Sequence, residues 1–317
     1  MSPSRCDNSK RRRRGLTLVE LVVVLAILAV LAGVAVRSLQ PIADQARYQA
    51  SQKTLTAIED AFLAGNKTGD GLTYSGFIAD IGRLPKAIGA TRETQAIELW
   101  NNSGIQPFGI TAFDDPNTSE DESARTEQQL LVAAGWRGPY LTLAPGSNAI
   151  RDGYGRPMFY FNPNNVPAVD GSEIAGVVSG GSNGAIDEPT LNIAYTRDLS
   201  LPNGLFEPNR YQGALPVRVT MADGSTPPSL NSGESVVVRV YGPEDGVPVV
   251  IRGVDVSAGG TPGFGGVISS LVCGTRAVRA LKVTGTSPNE TIVAESLVRQ
   301  VAIQPGMNSE VVLRLPN

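Results

Sequence analysis

The chain has 317 residues, with 27 basic and 30 acidic side chains and a formal charge of −3. It contains no histidine, which removes the usual general base, the Ser-His and Cys-His nucleophile pairs, and imidazole metal ligands. The acidic balance argues against nucleic acid as a partner, and 35 glycines with 22 prolines suit turn-rich β structure better than a helical body.

Charge and hydropathy are most unevenly spread at the start. Arg5, Lys10, Arg11, Arg12, Arg13 and Arg14 are opposed only by Asp7. Gly15 follows. The run over 16–36 is then apolar almost throughout and carries one charge, Glu20. As a helix this run reaches about 31 Å, matching a hydrocarbon core of about 30 Å. The basic flank predicts a cytoplasmic N-terminus, with the bulk of the chain sent outward. Hydropathy alone favours an uncleaved signal anchor. A cleaved secretory signal fits less well, because its apolar region is shorter and ends in an A-x-A-like site.

The residues at the junction add more. Gly15-Leu16-Thr17-Leu18-Val19-Glu20 resembles the class III leader junction of type IV pilins and type II secretion pseudopilins. The resemblance implies that a prepilin peptidase cuts between Gly15 and Leu16 and methylates the new amine of Leu16. It implies homologous pilin or pseudopilin subunits, an inner-membrane assembly platform and the membrane itself as partners. It places the chain in the inner membrane by a single pass, with its head in the periplasm or outside the cell, before assembly into an envelope or surface filament. Glu20 lies about 6 Å along the helix from the new amine. In the family this carboxylate pairs with a neighbour's amine and sets register, and a paired charge is tolerable where an unpaired one is not. The alternative is that Glu20 snorkels to nearby headgroups. Cys6 would leave with the leader, so Cys273 stands alone and no intrachain disulfide remains. From Leu16 onward the chain carries 21 basic and 29 acidic side chains, a formal −8.

The helix is expected to continue to about residue 64, with Pro41 as a kink. Ile42, Ala46, Ala50, Leu55, Ile58 and Phe62 form its apolar stripe, and Gly65-Asn66 its stop. Beyond it, 73–85 reads as a short amphipathic turn, 91–100 as a short helix and 105–117 as an exposed loop. Ser119-x-x-Glu122 forms a capping box that opens a helix over 119–134, closed by Gly135. Strands are expected near 140–143, 158–161, 175–179 and 191–195.

Three motifs in this region follow one another: Gly135-Trp136-x-Gly138-Pro139-Tyr140-Leu141, then Asp152-x-Tyr154-Gly155-x-Pro157, then Val177-x-Ser179-x-Gly181 with Asn183-Gly184. Together they resemble the head of the major pseudopilin of type II secretion, over about 136–195. Tyr154 stands where that family more often has Trp. The resemblance implies a calcium site in the loop after Ser179, with Asn183, Asp187 and Glu188 as ligands. Hard cations want six to eight oxygens, and Asn183 replaces the family's usual Asp. The other reading of this loop is a Gly-rich turn with solvated acids.

Pro202 and Pro208 mark a linker over 202–211. After it, seven runs of alternating apolar residues punctuated by Pro and Gly predict strands at 215–221, 235–241, 248–254, 267–271, 277–284, 295–303 and 310–315. The last strands resemble carboxypeptidase regulatory-like, transthyretin-type domains. The expected fold class is α+β: a long N-terminal transmembrane helix packed on an antiparallel-sheet pilin head, followed by an all-β seven-stranded sandwich. The expected divisions are a leader at 1–15, the helix at 16–64 with 16–36 spanning the membrane, the head at 65–201, the linker, and the sandwich at 212–317.

Three functions compete. The first is a structural filament subunit, a pseudopilin or minor pilin. The second is a filament-tip adhesin or substrate-binding module acting through the C-terminal sandwich. The third, a membrane-tethered enzyme, is disfavoured by the absence of histidine and of any nucleophile motif. No phosphate-binding G-x-x-x-x-G-K-[ST] motif is present, so the work of secretion or retraction falls to a separate ATPase.

Overall fold

The computed structural model describes residues 17–68, 71–93, 95–123, 125, 129–186, 197–256 and 264–316. Gly15, Leu16, Asp187, Glu188 and the expected strand at 191–195 lie outside them. The chain forms two compact units, Met1–Ala46 and Arg47–Asn317.

The described part of the first unit is helical from Leu18 onward. It belongs to α1 (Leu18–Phe62), a helix of 45 residues that runs through Pro41. From Leu18 to Leu31 its large apolar side chains are all at least 48% exposed. Among the described residues no helix is long and apolar enough to cross a membrane. The apolar stretch whose side chains are described, 18–33, measures about 24 Å; the rest of the expected 16–36 span lies outside the described side chains.

In the second unit α1 buries Tyr48, Ser51, Leu55, Ile58 and Phe62, at alternating spacings of three and four. Leu55, Ile58 and Phe62 match the expected stripe, but Ala50 is exposed. The buried face is set at this end by Gly153. Its N–H donates to Ser51 Oγ at 2.9 Å, and its backbone approaches so closely that an added Cβ would stand 1.9 Å from the Arg47 carbonyl oxygen.

Beyond α1 come small elements. β1 (Ala64–Thr68) and β2 (Gly71–Ser75) form an antiparallel hairpin. α2 (Phe77–Ile81) is buried throughout. β3 (Gly109–Phe113) pairs antiparallel with β4 (Leu130–Ala134). β5 (Phe159–Phe161), β6 (Gly176–Ser179) and β7 (Leu199–Ser200) make a three-stranded antiparallel sheet. Among its described residues the head therefore holds three small antiparallel sheets. α3 (Pro208–Tyr211) follows, and Phe206 and Tyr211 enter the same core as Phe62. The Phe62 and Phe206 rings lie 5.0 Å apart.

Several local expectations are corrected. Residues 119–134 form no helix among the described positions; Leu130–Ala134 is strand β4. Leu130, Val132 and Ala134 are buried alternately, a period of two that suits a strand lying on another sheet. The 105–117 stretch contains β3. The expected helix over 91–100 is reduced to one 3-10 turn, Ile97–Leu99. No strand forms at 140–143, because the N–H groups of Tyr140 and Leu141 both donate to the Leu99 carbonyl.

The described residues of the C-terminal part form two sheets. One takes β9 (Glu234–Glu244), β10 (Val247–Asp255), β12 (Gly274–Thr284) and β13 (Thr291–Glu295) in the order β10-β9-β12-β13, with β14 (Arg299–Ile303) also on β12. The other takes β8 (Gln212–Met221), β11 (Phe264–Val272), β15 (Gly306–Met307) and β16 (Val311–Leu315). β15 and β16 run parallel to β8. Leu215, Val217 and Val219 of one sheet share a core with Val236, Val238, Val240, Val278 and Ala280 of the other.

Seven strands were expected where the described residues hold nine. The expected strand at 295–303 is realised only as β14, and β13, at Thr291–Glu295, is an addition that Ser296 ends. The Ser296 hydroxyl accepts the Ala280 N–H at 2.9 Å and the Ser296 N–H donates to the Ala280 carbonyl. An extra residue is thereby accommodated, since Leu281 pairs with Glu295 while Val278 pairs with Arg299. β15 is the other addition.

The helix and head meet most tightly at Gly153. Gly153→Ala is expected to destabilise the protein by about 2 kcal/mol or more, lowering Tm by several degrees. An unchanged Tm in thermal unfolding would show that this contact relaxes at no cost.

Candidate functional site

The expected assembly site begins where α1 begins. Thr17 precedes the first helical residue and Glu20 is the third within it. The Thr17 N–H donates to Glu20 Oε2 at 2.8 Å, and the Thr17 hydroxyl donates to the same oxygen at 3.1 Å. The Glu20 N–H donates to Thr17 Oγ1 at 3.2 Å. This is a capping box, in which two otherwise unpaired helix-end donors are satisfied reciprocally. Thr17-x-x-Glu20 spells that pattern, a signal the sequence held beside the leader motif. Both of Thr17's donors go to Oε2. Gly15 and Leu16, the expected cleavage and methylation residues, precede the described segment.

Two of the three pseudopilin-like motifs meet in space. Asp152 Oδ1 accepts the N–H groups of Tyr154 and Arg156, both at 2.9 Å. Asp152 Oδ2 accepts the Ser179 hydroxyl at 2.7 Å. The aspartate of the second motif thus ties its own turn to the serine of the third. Of the three expected calcium ligands, only Asn183 is described. Its Oδ1 accepts the Ala185 N–H at 3.0 Å, and Arg156 Nη1 donates to the Gly181 carbonyl at 3.1 Å in the same loop. Among the described residues no group of three His, Cys, Asp or Glu side chains is placed to hold a metal.

The densest charge cluster escaped the sequence reading. Arg239 on β9 and Arg279 on β12 stand directly opposite each other and are both buried. Like charges in that position repel. The segment after β3 supplies the counter-charge. Asp115, fully buried, lies between the two guanidiniums, 2.6 Å from Arg239 and 3.5 Å from Arg279. Glu122, also fully buried, meets Arg279 at 2.5 Å, and Glu295 meets it at 3.0 Å. Glu290 pairs with Arg239. The Tyr241 hydroxyl donates to Asp115 at 2.7 Å and accepts from Arg279 Nε at 2.9 Å. The Asp115 N–H donates to Glu122 at 3.1 Å. Glu122 therefore serves this cluster rather than a helix cap. The acidic run Asp114-Asp115…Glu120-Asp121-Glu122 has the look of a cation loop, and the resident cations are arginines. Isolated arginines within the Val-rich strands β9 and β12 were the available signal.

Burial pushes the Asp115 carboxyl up, but the Tyr241 hydroxyl, the Asn117 N–H and Arg239 together outweigh it and hold the group below its usual range. Glu122 goes the other way, because burial raises it more than Arg279 lowers it. Two neighbouring carboxyls are thus driven apart. Cys273, buried and free, has its thiol pushed up to about 12 by burial, so it stays protonated and unreactive near neutrality.

These opposed shifts fix the sign of the pH dependence. Asp115 contributes stability above its ordinary value of 3.8, lost as pH falls through the lower folded value. Ionised Glu122 opposes folding, and that cost disappears as pH falls through its raised value. Arg279→Met is expected to cost about 3–5 kcal/mol at neutral pH, because it strands the buried Glu122 carboxylate and takes one of the two guanidiniums from Asp115. Asp115→Asn should flatten the loss of stability below about pH 4. Urea unfolding across pH checks both; a loss under about 1 kcal/mol for Arg279→Met would mean that the stranded acid is neutralised at little cost.

Residues 10–36 match the family model described as the prokaryotic N-terminal methylation motif. No curated protein matches the chain. Among solved structures, the Bacillus anthracis TIE protein is similar at 9% identity and a TM-score of 0.24. That match covers 68% of this chain and 41% of the other, and a likeness so slight carries no argument. The finding that bears on function is the first: the chain opens with a methylation motif typical of type IV pilins and pseudopilins, which implies processing by prepilin peptidase.

Proposed function

We propose that this chain is a structural subunit, a pseudopilin or minor pilin, of a type II secretion pseudopilus or type IV pilus. Prepilin peptidase cuts between Gly15 and Leu16 and methylates Leu16. The apolar segment 16–36 anchors the chain in the inner membrane, with the rest of the chain on the far side. At the assembly platform the helix then leaves lipid for the company of other subunits.

The observation that carries this reading is the methylation motif at 10–36, joined to a continuous helix whose apolar side chains are exposed on every side. A helix apolar all round is buried by lipid or by other protein. Glu20 fits the same reading. One carboxylate oxygen is held by Thr17, and the second is the acceptor for the amine of a neighbouring subunit.

We read the C-terminal two-sheet body as a β-sandwich that steadies the head. Support comes from polar links between the two. Arg83 pairs with both Glu98 and Asp245, and buried Arg276 on β12 donates to the Ala79 carbonyl of α2 at 3.2 Å. Gly82 takes a positive φ of 88°, and a Cβ there would lie 1.9 Å from the Pro243 carbonyl oxygen. Calcium in the 180–188 loop stays part of the proposal at Asn183, Asp187 and Glu188.

The test is Glu20→Ala in the full chain. Leader cleavage should persist while recovery in sheared filaments falls at least about tenfold, the effect of losing about 1.4 kcal/mol per subunit contact or more. Incorporation at the wild-type level would contradict the role given to Glu20.

A further inference from the structure

The β3–β4 hairpin has one face covered and one bare. Phe113, Leu130 and Val132 pack with Tyr241 and Ala277. In an antiparallel pair, directly opposed residues share a face. Ile110 is paired with Ala133, and Ala112 with Leu131, so these four form the other face. Ile110 is 66% exposed and Leu131 42%. The far side of β4 is engaged, since the Gln300 side-chain amide donates to the Leu131 carbonyl at 2.8 Å. The far side of β3 has no partner strand among the described residues.

β3 reads Gly-Ile-Thr-Ala-Phe. It holds no proline and no charge, the features that normally protect an edge strand from pairing. The charges stand just beyond its two ends and differ in sign. At the start, the half-exposed Arg137 guanidinium lies 4.7 Å from the Phe108 ring, with Nη2 on buried Asp80 at 3.2 Å and its other nitrogens left for a second acid. At the finish stands exposed Asp114.

That arrangement is self-complementary. Turn a second copy about a two-fold axis through Thr111, and the two strands run antiparallel. Ile110 then opposes Ala112 of the second copy, and large meets small on the bare face. Phe108 opposes Asp114 of the second copy, which brings Arg137 beside that carboxylate, and the same contact forms at the other end. Charge and side-chain size select one register, and the two-fold makes the interface isologous. We propose that β3 pairs antiparallel with β3 of a second copy of this chain, centred on Thr111. The contact is independent of leader processing and of the N-terminal helix.

The experiment is cysteine cross-linking of the full chain in membranes, in a Cys6→Ser background that leaves buried Cys273 in place. Opposed residues of an antiparallel pair have Cα atoms about 4.5–5.5 Å apart, within disulfide range. Thr111→Cys should therefore give disulfide-linked homodimer as its main oxidised product. Ile110→Cys alone should not, whereas Ile110→Cys co-expressed with Ala112→Cys should give the mixed dimer. Ala112→Lys, an exposed change, should cut the Thr111→Cys yield about tenfold. The proposal is overturned if Thr111→Cys stays monomeric or links only to a different polypeptide. It is equally overturned if exposed Thr286→Cys cross-links as well.

Discussion

A carboxylate placed where water is scarce has to be met by donors or by a cation, and in this chain that requirement acts at both ends of the structure. At the start of α1, Glu20 enters an apolar helix and is met first by its own neighbour, Thr17. The arrangement costs the chain nothing to hold, because the helix end needs acceptors in any case. It also commits one carboxylate oxygen, Oε2, to both donors of Thr17. In the proposed filament the amine of a neighbouring subunit completes what Thr17 begins.

The same requirement shapes the second unit. Arg239 and Arg279 would repel across β9 and β12, and Asp115 and Glu122 would be untenable where they are buried. Brought together, they hold the segment after β3 against the outer face of a sheet formed more than a hundred residues later. Arg276 shows a different solution. Its guanidinium is held by the carbonyls of Ala79, Cys273 and Thr275, and burial pulls its pKa down to about 10, yet it remains charged at neutral pH. The Asp115, Glu122 and Ala79 links tie residues of the head to residues of the two-sheet body, so the stability of one depends on the other.

Much of this was legible in the residues. The long helix follows from unbroken hydropathy continued by a 3/4 stripe, and the C-terminal strands from alternation between Pro and Gly punctuation. What failed did so for identifiable reasons. Ser119-x-x-Glu122 has the letters of a helix cap, but the energy gained by pairing Glu122 with Arg279 depends on a partner 157 residues away, which no local pattern reports. Ser296 ends β13 and delays β14 to Arg299 by offering its hydroxyl in place of a backbone acceptor, and a serine inside an alternating run gives no warning of it. At the N-terminus the opposite occurred: Thr17-x-x-Glu20 was visible as a cap and was overshadowed by the leader motif around it.

The central claim is that the basic leader is removed and the helix begins at a methylated residue, since only then does the second oxygen of Glu20 have an amine to meet. The direct measurement is the mass of the N-terminal peptide of the mature protein isolated from its native membrane. The account predicts a peptide starting at Leu16 and heavier by one methyl group. A peptide retaining the arginines before Gly15, with an unmodified start, would contradict it and leave a chain that is merely tethered to the membrane.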